Sequence, residues 1–269
     1  MRDRHERITA IALEIAPCTV RQVFYQAVVR GLVDKTETDY EKVQRALLHL
    51  RRTGALPYST ITDGSRSYYE PETFDNLADA LTQTAHTYRR NVWADVGLRV
   101  EVWLEKEALR GVIYPITWQH AVPLYVSRGF ASESYLYEAA QTIRACRRPT
   151  YVYQFGDHDP SGVRASQAIE RKLREFVGGL APVYYERMAV TEAQIAFLNL
   201  PRRPTKSSTH AAGWSGDSVE LDAIHPDKLR HLVGACILDH IPEDRRRVIE
   251  AAEESERELL RIFASEVAT

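Results

Sequence analysis

The sequence lacks the long apolar runs that a membrane protein needs. No stretch of about 18 uncharged apolar residues occurs in it. The N-terminal stretch MRDRHERITAIALEIAPC carries Glu14 inside its apolar part, which is unlike a signal peptide. We therefore expect a cytoplasmic protein that has no membrane partner.

Cysteine is also scarce. The three cysteines, Cys18, Cys146 and Cys236, are odd in number, far apart and without CxxC spacing. This pattern argues against a disulfide framework and against a zinc site. We expect reduced thiols that are mostly buried.

The sequence also has no excess of basic over acidic residues. The 269 residues contain 35 Lys and Arg against 37 Asp and Glu, a net charge of -2. Many nucleic-acid-binding proteins are strongly basic, so any such binding by this chain has to be local. A hydrophobic content of 44% is enough to bury a real core, which predicts a folded protein.

The N-terminal third contains the pattern of three helices, two of them with capping boxes. Thr19 with Gln22 begins an amphipathic helix that ends near Gly31. Thr38 with Glu41 begins a second one, which ends at Gly54. Its surface beyond the apolar stripe carries the basic residues Lys42, Arg45, His49, Arg51 and Arg52.

A β-hairpin is predicted after these helices. Residues 55–70 alternate in polarity and contain the turn dipeptide Asp63-Gly64, with Arg66 close behind it. Helices followed by a hairpin are typical of a winged helix, whose last helix enters the DNA major groove. We expect this domain over 1–71. A helical bundle with a solvated basic face is the alternative.

The remainder of the chain predicts a helical connector and then a parallel sheet. A long helix is expected within the connector, 72–96, and the second domain covers 97–269. Strand patterns alternate with helix patterns there, which is typical of an α/β fold. The predicted strands are 98–104, 122–127, 151–155 and 183–190, and the helices between them are 106–113, 131–145 and 161–177.

Acidic residues follow two of these strands. Glu105 ends the first strand, and Asp157 and Asp159 follow the third. Functional groups collect at the carboxyl ends of parallel strands, so these carboxylates can converge in one crevice. Three carboxylates without a soft ligand point to Mg²⁺. Asp159 before Pro160 also suits a helix N-cap, which is the structural alternative for this residue.

The segments VEVWLEKEAL, PLYVSRGFASESYL and FGDHDPSGV resemble a Toprim domain. Their DxDP-x-G version resembles the A subunit of DNA topoisomerase VI and the related meiotic double-strand-break endonuclease. Ser161 stands where other Toprim enzymes often carry a third acid, which disfavours a primase-like enzyme. The resemblance implies an α/β protein with a CAP-like winged helix followed by a Rossmann-like Toprim sheet.

The resemblance also reaches the first predicted amphipathic helix. The family carries an Arg-x-x-x-Tyr element there, matched by Arg21 and Tyr25 in VRQVFYQ. On a helical projection Tyr25 lies about 130° from the centre of the apolar stripe, so we expect it off the core-facing side. The alternative is an amphipathic aromatic residue at the rim of a small core.

By this resemblance the chemistry is transesterification. Tyr25 would attack a DNA phosphodiester, Arg21 would stabilise the phenolate and the phosphate, and Glu105, Asp157 and Asp159 would hold Mg²⁺. A phenol with a pKa near 10 needs such activation at pH 7. The resemblance further implies a homodimer with sites shared between protomers, and strand passage would require a separate ATPase subunit.

Further basic residues are candidates for contacts with DNA. Arg128 follows the second strand, and Arg202, Arg203 and Lys206 lie in a loop rich in Pro, Gly and Ser. A solvated loop without a DNA contact is the alternative. Two other functions stay open. One is a hydrolytic Toprim nuclease in which Tyr25 is structural, and the other is a winged-helix DNA-binding protein that cuts nothing.

Overall fold

The computed structural model describes residues 2–62, 71–94, 96–205 and 214–268. The predicted turn at Asp63-Gly64 and the basic residues Arg66 and Lys206 lie outside the described residues. The helices are α1 (Arg2–Glu14), α2 (Val20–Val29), α3 (Glu37–Arg52), α4 (Leu77–Thr87), α5 (Arg110–Gln119), α6 (Glu133–Cys146), α7 (Pro160–Val177), α8 (Glu192–Phe197), α9 (Pro226–Leu238) and α10 (Glu243–Val267). The strands are β1 (Arg99–Leu104), β2 (Leu124–Val126), β3 (Thr150–Phe155) and β4 (Val183–Ala189).

The four strands form one parallel sheet in the order β2-β1-β3-β4. The predicted parallel α/β architecture is confirmed. The chain moves from β1 to one neighbour, β2, and then crosses to the other neighbour, β3. The crevice between β1 and β3 is therefore the point where the direction of winding reverses, the usual place for a binding site in such a sheet.

The core of the sheet forms where helices α6 and α7 are packed. Trp103 and Val152, from β1 and β3, share a buried cluster with Leu136, Ile143 and Ile169 from the two helices. These helices follow the predicted ranges closely. Of the segment predicted as a helix over 106–113, Glu107–Leu109 forms a 3-10 turn and 110–113 form the first turn of α5, which continues to Gln119.

Helix α2 begins as predicted, with Thr19 and Gln22 completing a capping box. Helix α3 begins two residues earlier than predicted. Thr36, in extended backbone, is its N-cap and accepts a hydrogen bond from the Asp39 N–H at 3.2 Å. Thr38 lies inside the first turn, so the predicted Thr38–Glu41 box is wrong.

The prediction of a long helix within 72–96 is also wrong, because the helix ends earlier than predicted. Helix α4 ends at Thr87, and Tyr88, with φ −55° and ψ 131°, is no longer helical. The Tyr88 carbonyl accepts hydrogen bonds from the Arg257 guanidinium, the shorter being 2.8 Å, and the Arg90 N–H donates to Glu253 at 2.9 Å. Side chains of α10 thus satisfy backbone groups that a continued helix would have bonded internally.

The chain divides into two units by its internal contacts. One unit comprises Met1–Arg66 with Leu98–Ala235, and the other comprises Ser67–Gly97 with Cys236–Thr269. The first unit joins the N-terminal helices to the sheet, which is a different grouping from the sequence-based ranges. Arg21 of α2, for example, is ion-paired with Glu220 at 2.8 Å. In the part of the chain that is described, each helix is too short or too polar to cross a membrane.

Candidate active site

Glu105 and Asp157 lie side by side at the carboxyl edge of the sheet. The Asp157 N–H donates to Glu105 Oε2 at 2.9 Å. The contact follows from the register, because Leu104 of β1 pairs with Phe155 of β3 and each acid comes just after. The structure therefore places these two predicted site residues together.

Two glycines allow this close approach. A Cβ atom on Gly156 would collide with Glu105 Oε2, and one on Gly162 would lie 2.5 Å from the Asp157 carbonyl oxygen. Both glycines occur in the segment FGDHDPSGV. Their lack of a side chain leaves room around the Glu105 carboxylate.

Burial disfavours ionisation of this acid pair. It raises the pKa of Glu105 to about 7, with a further contribution from the neighbouring Asp157 carboxylate. The pKa of Asp157 is also raised by burial, although Lys106 opposes this effect. Two acids in this condition would gain from a cation placed between them.

One cation is already supplied by Lys106, which the sequence analysis did not single out. Its ammonium lies 3.1 Å from Asp157 Oδ2, 3.0 Å from Glu220 Oε2 and 2.7 Å from Asp222 Oδ2. These three acids raise the pKa of Lys106 despite its burial, so it is charged. The sequence gives no signal that acids more than 100 residues away would surround a lysine next to Glu105.

Glu220 links this lysine to two arginines. Its Oε2 accepts from Arg21 at 2.8 Å, and its Oε1 lies 3.2 Å from Arg203 Nη1. Burial works against its ionisation, but Lys106 and Arg21 lower the pKa of Glu220 to about 2. Glu220 is another functional candidate that sequence reasoning missed, since a single acid in VELD carries no motif.

Asp159 has the capping role that was its structural alternative. Its Oδ1 accepts from the Gly162 N–H at 2.8 Å, and Pro160 occupies the first turn of α7. Its Oδ2 is 3.7 Å from Arg203 Nη2. Asp159 is thus engaged with the helix terminus and with an arginine.

Tyr25 is buried, so the prediction that it lies off the core-facing side is wrong. Only 3% of its surface is exposed, and Lys35 Nζ lies 5.3 Å from the ring centroid. Helix α2 is covered on two sides, because the 3-10 turn Leu221–Ala223 packs against it in addition to the other N-terminal helices. A helical projection that assumes a single core-facing side identifies only one of these two buried sides. Burial raises the pKa of Tyr25, and the nearby Glu220 carboxylate raises it further.

A cavity of 860 Å³ lies beside the acid pair. Its wall includes Glu105 and Lys106 together with the arginines Arg21, Arg51 and Arg128. Five other predicted DNA-binding residues do not line it and are exposed at the surface: Lys42, Arg45, His49, Arg52 and Arg202. The acids Glu107 and Asp222 line the same wall, and Glu107 is ion-paired with Arg128, so the cavity presents charges of both signs.

The acid pair fits a hard divalent cation by the chemistry of its oxygen ligands. Glu105 and Asp157 present carboxylate oxygens, the ligands that Mg²⁺ prefers. Asp157 Oδ1 already accepts from the Leu221 N–H at 2.8 Å, and its Oδ2 lies 3.1 Å from Lys106. Within the described residues, no group of three or more His, Cys, Asp or Glu side chains is arranged to hold a metal ion. The fit to Mg²⁺ therefore depends on Glu105 and Asp157.

No protein-family model matches the sequence, and no curated protein matches it.

Proposed function

We propose that this chain is a Mg²⁺-dependent DNA-binding and DNA-cleaving protein of the topoisomerase VI A-like type, with a winged helix and a Toprim domain. One observation carries the proposal: the acids that follow two neighbouring parallel strands are in contact at the switch point of the sheet, where the Asp157 N–H donates to Glu105 Oε2. The exposed basic residues of α3 and the arginines of the 860 Å³ cavity would hold the DNA backbone.

Glu105 and Asp157 would hold the Mg²⁺ ion, with Asp159 as the third candidate ligand from the family pattern. The ion would supply positive charge that stabilises the phosphate and the leaving oxygen. Lys106 keeps Asp157 oriented through its 3.1 Å ion pair. Arg21, on the cavity wall, would bind a non-bridging phosphate oxygen.

Tyr25 is the proposed nucleophile. Its phenol oxygen would bond to phosphorus as the bond from phosphorus to the deoxyribose oxygen breaks, and the phenol proton would pass to that leaving oxygen. Arg21 supports this role because it lies one turn before Tyr25 and lines the same pocket. Homodimerisation and a separate ATPase subunit belong to the same proposal.

Hydrolysis is the second candidate function, and the burial of Tyr25 favours it. A phenol that is 3% exposed and has a raised pKa is a poor nucleophile in this arrangement. Water would then attack the phosphodiester, and Tyr25 would be a structural residue.

Trapping of a covalent complex tests the proposal and separates the two candidates. The protein is incubated with supercoiled and linear DNA and MgCl₂, then denatured with detergent. Transesterification leaves DNA joined to protein through Tyr25, so Tyr25→Phe abolishes the adduct while Tyr114→Phe, at a tyrosine that is 51% exposed, retains it. Hydrolysis leaves cut DNA without an adduct in both variants.

The carboxylates are tested in the same assay. Glu105→Gln and Asp157→Asn should abolish cleavage, chelation should do the same, and Glu138→Gln on exposed α6 surface should have no effect. DNA binding without cleavage under any divalent metal, unchanged by chelation and by Asp157→Asn, would instead identify a non-catalytic DNA-binding protein.

A further inference from the structure

A second, smaller cavity lies on the other side of Arg21. It has a volume of 240 Å³ and is lined by residues of α2, by the start of α3 and by Arg203 and Glu220. One water molecule occupies about 30 Å³ of liquid, so several waters or one small anion have room there. Tyr25 and Tyr40 contribute to its wall.

Positive charge exceeds negative charge inside this cavity. Arg21, Lys35 and Arg203 line it, against the buried Glu220 and the exposed Glu37. Glu220 cannot neutralise all three cations, because it already accepts from Lys106 at 3.0 Å and from both arginines. Arg203 has a second acid, Asp159, 3.7 Å from its Nη2, so Lys35 is the cation whose charge an added anion would balance.

Lys35 is the cation with the least compensation. Its ammonium donates to the neutral carbonyl of Pro201 at 2.7 Å, and among the described residues it has no carboxylate within ion-pair distance. Burial lowers the pKa of Lys35 to about 8. The Glu220 carboxylate opposes this decrease, and the Arg203 charge adds to it by a smaller amount. A partly buried ammonium of this kind gains from an anion beside it.

The start of α3 adds to the positive potential. Thr36 and Glu37, the N-cap and the first residue of this 16-residue helix, line the cavity. The N–H groups and the macrodipole at a helix N-terminus favour an anion. The cations and the helix terminus therefore act on the same space.

We propose that this cavity is a phosphate-binding site in which Lys35, Arg203 and Arg21 hold the phosphate oxygens. An arginine guanidinium can bind two of these oxygens, and the lysine supplies a point charge. The phosphate would lie against Tyr25, which shares the cavity wall. Arg21 and Tyr25 also belong to the proposed cleavage site, but phosphate binding in this cavity does not require that the chain cuts DNA.

Calorimetric titration of the full chain with inorganic phosphate, against chloride at equal ionic strength, tests the site. Phosphate should bind and chloride should not. Lys35→Met should weaken phosphate binding by about tenfold or more, because a charged hydrogen bond is lost. Lys228→Met, at an exposed lysine outside the cavity, should bind as the unaltered protein does. Equal binding by Lys35→Met, or a phosphate response no larger than that of chloride, overturns the proposal.

The unaltered protein provides a second test that does not depend on folding of the Lys35→Met variant. Acetylation of individual lysines by acetic anhydride is followed by mass spectrometry. Phosphate should slow the acetylation of Lys35 and leave that of Lys228 unchanged. An unchanged rate at Lys35 under saturating phosphate contradicts the site.

The source of the phosphate is identified by repeating the acetylation with a DNA oligonucleotide. If the oligonucleotide protects Lys35 at a lower concentration than inorganic phosphate does, the ligand is a nucleic-acid phosphate. Protection by phosphate that the oligonucleotide does not reproduce identifies a free phosphate ligand. Both outcomes support the site. Phosphate binding without DNA cleavage supports this inference and contradicts the proposed function. DNA cleavage without phosphate binding supports the proposed function and contradicts this inference.

Discussion

Glu220 illustrates how one buried acid can organise several cations. Its pKa of about 2 lies below the ordinary value of 4.5, so its contribution to stability is complete above pH 4.5 and is lost as the pH falls towards 2. The difference corresponds to about 3 kcal/mol at most. Glu220→Gln should lower the free energy of unfolding at pH 7 by up to this amount, and by a little under half of it at pH 3.

Urea denaturation of both proteins at pH 7, 5 and 3 measures this effect. Glu138→Gln, at an exposed position, is the matched control and should change little at any pH. A stability loss for Glu220→Gln that is the same at all three pH values would show that packing, and not the charge, is responsible.

Gly156 is predicted to be necessary for the acid pair. Gly156→Ala places a Cβ against the Glu105 carboxylate and the Gln154 amide, so one of these side chains has to move. We expect a destabilisation of about 1–3 kcal/mol, the usual cost of overpacking, together with loss of Mg²⁺-dependent cleavage.

Thermal denaturation and the cleavage assay check the two parts of this expectation. Gly234→Ala in α9 is the control, because its new Cβ would meet an ordinary contact of 3.8 Å with Ile116 and a helix interior favours alanine. Full activity and stability in Gly156→Ala would mean that Glu105 has no need of its present position.

At the residue scale, the sequence predicts which residues are neighbours when both come directly after the ends of parallel strands. Glu105 and Asp157 were predicted to lie close together, and the Asp157 N–H contacts the Glu105 carboxylate. The partners of Lys106 could not be predicted, because Glu220 and Asp222 reach it only through the tertiary fold. The burial of Tyr25 was missed for the same reason, since its second cover comes from a segment about 200 residues away.

At the scale of elements, α7 is the clearest case in which one residue has two possible roles. Asp159 caps the helix, and the family pattern also makes it a candidate metal ligand. Asp159→Ala should cost about 1 kcal/mol of stability, whereas Asp159→Asn should keep the cap and remove the charge.

Comparison of these two variants separates the roles. If Asp159 only caps the helix, Asp159→Asn retains both stability and Mg²⁺-dependent cleavage. If it binds the ion, Asp159→Asn is stable but its cleavage requires far more MgCl₂. Chemical denaturation and a MgCl₂ titration of the cleavage rate provide the two measurements, and a stability loss in Asp159→Asn equal to that of Asp159→Ala would contradict the capping role.

Elements with local signals were predicted well. The bounds of β1, β3 and β4 and of α6 and α7 fall close to the predicted ranges, because apolar runs and caps determine them locally. The end of α4 was not predicted, because Glu253 and Arg257 compete for its backbone groups from the other end of the sequence. The hydrophobic pattern carries no information on such a competitor.

At the scale of the whole molecule, the strand order determines which residues meet. Alternating strand and helix patterns predict a parallel sheet, but they do not determine the order β2-β1-β3-β4. Any order that separated β1 from β3 would have kept Glu105 and Asp157 apart. The candidate site thus depends on a global property that the local sequence does not encode.

The overall charge leads to a prediction for the proposed DNA binding. A protein with a net charge of -2 has to bind DNA through a local basic surface, here the exposed residues of α3. Each phosphate contact contributes about 0.9 to the slope of log K against log salt concentration. Replacement of both Arg45 and Arg52 by Ala should therefore reduce the slope by nearly 2 if each contacts a phosphate.

Fluorescence anisotropy with a labelled duplex across a salt series measures these slopes. Replacement of Arg171 and Arg174 by Ala removes the same charge from exposed positions of α7 and should leave the slope unchanged. An equal reduction in both double variants would show that DNA responds to the net charge alone. In that case α3 would have no defined DNA interface, because a long-range field does not depend on which arginines produce it.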